Sequence, residues 1–171
     1  MIFKKPGGAE MRKILVPIDG SDYSNLAIDK AKEIAEKFNS EIVLIHVNDI
    51  QTEQFFINPG AGDSAPFFTD ISKNPKMIPI RLPKEYVDEV EKAAEGILER
   101  GKARCSGSNV KVSTLSLQGK PADIIAEFAE NNDIDLVVMG SQGMSGLKRF
   151  FVGSTTYKVI MSIKKPILII R

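Results

Sequence analysis

Residues 140–156, GSQGMSGLKRFFVGSTT, hold the chain's most specific arrangement of chemistry-bearing residues. Gly140, Gly143 and Gly153 precede the hydroxyls of Ser154 and Thr155, with spacing G-x2-G-x9-G-[S/T]. Glycines let backbone N–H groups approach a ligand closely. A helix start leaves N–H groups without partners and carries partial positive charge. Together these features bind phosphate. The context fits, because the apolar run Leu136-Val137-Val138-Met139 reads as a buried strand and the residues from Ser154 read as helix. A bare Gly-x-x-Gly would be read as an ordinary loop; the full spacing between a strand and a helix points to phosphate. A bulky residue at Gly153 is expected to obstruct the backbone's approach to phosphate, with Gly140→Ala the milder change.

Other reactive residues are few. Asp19, in the turn Asp19-Gly20-Ser21-Asp22, is either a capping residue or a ligand-facing carboxylate. His46, the single histidine, has no nucleophile beside it and reads as a packed strand residue rather than a base. Lys148 and Arg149 lie between the glycines, either as phosphate contacts or as a solvated basic turn. The single cysteine, Cys105, excludes an internal disulfide and reads as a structural thiol. There is no G-x4-G-K-[S/T], so a P-loop lysine and its magnesium-binding hydroxyl are missing. No dedicated carboxylate cluster is evident, so any magnesium is expected to be shared with phosphates.

The 171 residues suit one domain, and a chain of this length buries roughly 70% of its unfolded surface. Composition is 43% apolar and 26% charged, ordinary for a globular protein. A net charge of +1 gives no electrostatic footprint for nucleic acid or an anionic membrane. No apolar run approaches the roughly 20 residues that span a bilayer. The first eight residues, MIFKKPGG, lack the apolar core of a signal peptide, so a cytoplasmic location is expected.

Five strands and four helices must position the glycine loop. Lys13–Ile18, Glu41–Val47, Val110–Leu117, Asp135–Met139 and Pro166–Ile170 read as strands one to five. Leu26, Ala27, Ala31, Ile34, Ala35 and Phe38 recur at helical spacing, with Ser21 or Asp22 as N-cap. Pro83 opens a second helix with an apolar stripe of Val87, Val90, Ala94, Ile97 and Leu98. Pro121 opens a third, and Ser154–Ile163 is the fourth. Residues 48–82 carry four of the nine prolines and two Phe-Phe pairs, and no regular structure is assigned there. Residues 1–10 are read as an N-terminal extension, 11–171 as the domain and 48–82 as an insert within it.

Strict alternation of strand and helix calls for an α/β, doubly wound parallel sheet covered by helices on both faces. In the order 3-2-1-4-5, strands one and four meet where the winding reverses. Ligands bind outside the carboxyl ends of strands at such a point. Pro17-Ile18-Asp19 and Met139-Gly140 are those two ends.

The glycine spacing resembles the ATP-binding signature of the universal stress protein family, a fold like that of adenine nucleotide alpha hydrolases. KILVPIDGSDYS, Leu44-Ile45-His46-Val47, Gly119-Lys120-Pro121-Ala122 and Lys165-Pro166-Ile167-Leu168-Ile169-Ile170 are also similar to family segments. The resemblance implies that Met139, Gly140, Ser141, Gly143, Gly153, Ser154 and Thr155 hold phosphate and ribose. It implies adenine contacts at Pro17 and Ile18, and ribose or metal contact at Asp19. Val47 would offer backbone groups to the adenine edge, with plain core as its equal alternative. It further implies ATP, AMP or ADP as ligand and a homodimer, placed here along the apolar fifth strand Pro166–Ile170.

Three functions are weighed. The leading one is an adenine-nucleotide-binding regulatory protein of the stress response. The second is a slow ATPase or another ATP-dependent enzyme of a related fold. The third is a nucleotide-free dimeric interaction module, which the intact glycine motif disfavours.

Overall fold

The computed structural model describes residues 11–49, 55–57, 78–80, 83–143 and 152–171. Elements run β1 (Lys13–Pro17), α1 (Asp22–Phe38), β2 (Glu41–Asn48), β3 (Phe55–Ile57), β4 (Ile78–Ile80), α2 (Lys84–Arg104), β5 (Val112–Gln118), α3 (Pro121–Asn131), β6 (Leu136–Gly140), α4 (Ser154–Ser162) and β7 (Ile167–Ile170). The main sheet is wholly parallel and ordered β5-β2-β1-β6-β7. Counting its own strands, that order is 3-2-1-4-5, the expected one, with β1 beside β6.

Side-chain alternation divides the core into two layers. Ile14, Val16, Ile42, Leu44 and Val138 face α1 and α2, meeting Ala27, Ile28, Ala31 and Leu98. Leu15, Val43, Ile45, Val137 and Met139 face α3 and α4, meeting Ile125, Ala129 and Val159. Both faces of the central strands are buried, which is why they read as continuous apolar runs rather than alternating ones. At the strands' amino ends, Lys13 and Lys111 flank Glu41 and hold its carboxyl below the usual range, Lys111 contributing most.

Helix ends follow local chemistry. Ser21 is the N-cap of α1, and its side chain accepts the Ser24 N–H. Asn39 ends α1 in the left-handed region at φ 52°, a conformation asparagine tolerates. Pro83 is the N-cap of α2, and Pro121 occupies the first turn of α3.

Two features depart from expectation. Leu26 lies outside the buried stripe of α1 and is 46% exposed. Within 48–82, β3 and β4 form an antiparallel pair, Phe55 opposite Ile80 and Ile57 opposite Ile78. Three-residue strands with proline in one of them are too short to show a period-two pattern. Phe67 and Phe68 lie outside the described residues. Among the described residues, no helix is long and apolar enough to cross a membrane.

Candidate functional site

A cavity of about 560 Å³ opens at the carboxyl ends of β1, β2 and β6. Pro17 closes β1, and the Ile18 N–H donates to Ile45 O at 2.8 Å, extending the pairing by one residue. The chain then leaves the sheet at Asp19. The Asp19 Oδ1 accepts the Ser21 N–H at 3.0 Å while the residue lines the cavity. Asp19 thus braces the turn ahead of the N-cap Ser21 and lines the cavity at the same time.

His46 Nδ1 lies 2.8 Å from the Ile18 carbonyl. A carbonyl only accepts, so Nδ1 carries the proton of this bond. The ring ties β2 to the end of β1 and also lines the cavity. Val47 lines it too and packs against the core under α3.

On the other side, Met139 and Gly140 end β6 against the N-terminal turn of α1. A Cβ at Gly140 would lie 2.8 Å from the Tyr23 carbonyl carbon. Gly140 is thus required by helix–strand packing, and the expectation that alanine is mild there is corrected. Among the described residues a Cβ at Gly153 would meet nothing closer than 3.4 Å, at Ser141 O. The Thr156 hydroxyl donates to Gly140 O at 2.9 Å.

Ser141 is the expected site residue that the structure places outside the lining. It is buried; its N–H donates to Ile170 O, and its carbonyl accepts the Gly153 N–H at 2.7 Å. It clamps the two ends of the glycine loop to each other and to β7. Gln142 and Gly143 follow it into the cavity lining.

The N-terminus of α4 completes this side. Gly153 is its N-cap, and among the described residues no side chain caps it. The N–H groups of Ser154 and Thr155 have no acceptor within the helix, and both residues line the cavity. The opposite walls are largely apolar. Tyr86 and Val90 come from α2, Pro121 and Ile125 from α3, and Ile45, Val47 and Met139 from the strands between. Asn48 is buried at the rim, with Nδ2 donating to Ser116 Oγ at 3.1 Å and its carbonyl accepting the Gly119 N–H. Asp49 adds a second carboxylate.

Every expected contact residue except Ser141 thus lines one cavity: Pro17, Ile18, Asp19, Val47, Met139, Gly140, Gly143, Gly153, Ser154 and Thr155. Lys148 and Arg149 lie outside the described residues. Sequence reasoning missed Asn48, Asp49, Tyr86, Val90, Pro121, Ile125 and Gln142. Pro121 had a signal in the Gly119-Lys120-Pro121 segment, and Gln142 in its place inside the glycine spacing. Cys105 lies in the α1–α2 core, where burial pushes its thiol pKa up.

The sequence model of the universal stress protein family matches residues 10–171. The chain belongs to the universal stress protein family. Universal stress protein YxiE of Bacillus subtilis is 33% identical over 159 residues, covering 93% of this chain and 98% of that protein. The solved universal stress protein UspA of Lactobacillus plantarum is similar at a TM-score of 0.68 and 27% identity, over 95% of this chain and 99% of that one. A universal stress protein of Archaeoglobus fulgidus, solved in complex with dAMP, shares the fold at a TM-score of 0.60 and 21% identity, over 95% of this chain and 100% of that one. In this universal stress protein the cavity occupies the switch point of the shared fold, between β1 and β6.

Proposed function

We propose that this universal stress protein binds an adenine nucleotide (ATP, AMP or ADP) and acts as a cytoplasmic regulatory protein of the stress response. One observation carries the reading. The uncapped N-terminus of α4 opens, beside Gly143, onto a cavity whose remaining walls are mostly apolar. Such a cavity suits a ligand with a polyanionic end and a flat, apolar end. Phosphates take the N–H groups near Gly143, Ser154 and Thr155, beside Gly153, whose own N–H is held by Ser141 O. The base lies among Pro17, Ile18, Val47 and the walls supplied by α2 and α3. The Archaeoglobus relative holds dAMP in the same fold.

Magnesium fits this arrangement as a phosphate-bound ion. It commonly takes one or two carboxylates together with phosphate oxygens and water. Asp19 lines the cavity against Gly143 and supplies one such carboxylate. Residues 11–171 act in this reading as one domain with 48–82 inserted.

The working unit is a homodimer joined along β7. Pro166 O and Ile170 O accept bonds from β6, so Ile167 and Ile169 turn their backbone groups toward the open edge. An apolar edge invites pairing with a second copy about a two-fold axis. The helices over the two faces add exposed apolar side chains, Leu26 on α1 and Tyr157, Ile160 and Met161 on α4.

Mass spectrometry of freshly purified, denatured protein tests the ligand. A released adenine nucleotide in near-stoichiometric amount is expected. Protein that releases none and takes up none on incubation with ATP would instead be a nucleotide-free interaction module.

A further inference from the structure

We infer that Tyr86 is the aromatic platform on which the base of the bound nucleotide stacks, making it a specificity-determining residue for planar bases. The inference rests on the adenine-nucleotide reading and adds a residue to it. Tyr86 lies in the first turn of α2, where its N–H donates to Pro83 O at 3.1 Å. Pro83, as N-cap, fixes where that turn begins. Val90 is one turn further on, and both side chains line the cavity.

Helix α2 covers one face of the sheet and α3 the other. Tyr86 and Val90 from α2 and Pro121 and Ile125 from α3 line the same cavity at the strand ends. A cavity with apolar side chains from both helices suits a flat heterocycle. Among the described lining residues Tyr86 is the one with a benzenoid ring. It is also 51% exposed, so the fold itself makes little use of that ring. Stacking is indifferent to hydrogen-bond pattern, because every base has a π face. Tyr86 therefore selects for the presence of a base, while polar groups elsewhere in the cavity choose among bases.

The test compares wild type, Tyr86→Ala and Tyr86→Phe, each titrated with ATP and with inorganic tripolyphosphate. Tyr86→Ala is expected to weaken ATP binding about 5- to 100-fold. Its tripolyphosphate affinity should be unchanged, and Tyr86→Phe should restore ATP binding. The chain has three tyrosines and no tryptophan, so its ultraviolet emission reports tyrosine. ATP should quench that emission in wild type, and the component lost in Tyr86→Ala should account for most of the quenching. If Tyr86→Ala binds ATP as well as wild type, or loses ATP and tripolyphosphate equally, the stacking role is overturned while nucleotide binding stands. Wild type that binds neither probe overturns both.

Discussion

Gly143 stands directly against Asp19: a Cβ at Gly143 would lie 2.5 Å from Asp19 Oδ2. The glycine loop and the end of β1 therefore meet across the cavity at a point where no side chain can be added without moving the carboxylate. Asp19 is not free to swing at will, since its Oδ1 holds the Ser21 N–H. Gly143→Ala should displace the carboxylate while leaving the sheet intact. Expected is a stability change within about 1 kcal/mol, because a side-chain tip rather than backbone must yield. ATP affinity in magnesium should fall more than ATP affinity in chelator. Equal losses in the two conditions would remove Asp19 from the metal side of the site.

Gly140 makes the opposite case. Its hypothetical Cβ meets Tyr23 backbone atoms at 2.8 and 3.0 Å, and these cannot rotate aside. Gly140→Ala should push α1 away from β6 and cost about 1–3 kcal/mol, the usual range for overpacking. A shift in urea midpoint without a change in slope is the expected signature. An unchanged midpoint would mean that the α1 N-terminus is not seated against β6 as described.

These two glycines show what the sequence could and could not convey. Their spacing was legible, and with it the strand, loop and helix that carry them. Their separate jobs were not, because a glycine needed for a ligand and one needed for packing look alike in one chain. The parallel sheet was legible since Leu15, Val43 and Val137 belong to runs apolar on both faces. Tyr86 was not, because at helical spacing it is simply one more residue ahead of the α2 stripe. Only the two-sided layering of α2 and α3 brings it to the cavity. The β3–β4 pair was hidden by strands three residues long.

The open edge of β7 gives a third prediction. Ile169→Pro removes an N–H that faces outward, leaving the bonds to β6 unbroken. The variant should be monomeric by light scattering, with helix content retained by circular dichroism. Wild type that is itself monomeric at micromolar concentration contradicts the dimer.

Turnover should be slow. Fast phosphoryl transfer needs an aligned nucleophile and fixed charges on the transferred group. Holding substrate and transition state equally well does not raise the chemical rate. Among the described lining residues the ionisable side chains are Asp19, His46, Asp49 and Tyr86. The His46 Nδ1 proton is already bonded to Ile18 O. Single-turnover hydrolysis of labelled ATP should run well below the roughly 1–100 s⁻¹ typical of kinases. A rate above about 1 s⁻¹ that Asp19→Ala abolishes without abolishing binding would make the protein an enzyme.

Calorimetry with ATP tests the central claim most directly, comparing nucleotide-stripped wild type with Gly153→Val. Among the described residues a Cβ at Gly153 makes only ordinary contacts, the nearest at 3.4 Å, so the variant is expected to fold. The valine methyls would stand at the uncapped start of α4, between its N–H groups and an incoming phosphate. Saturable binding of one ATP per chain to wild type, weakened at least about tenfold in folded Gly153→Val, is the predicted result; tenfold corresponds to about 1.4 kcal/mol, the scale of one charge-assisted hydrogen bond. No binding to wild type, or equal affinity in the two proteins, would contradict the assignment of this cavity to an adenine nucleotide.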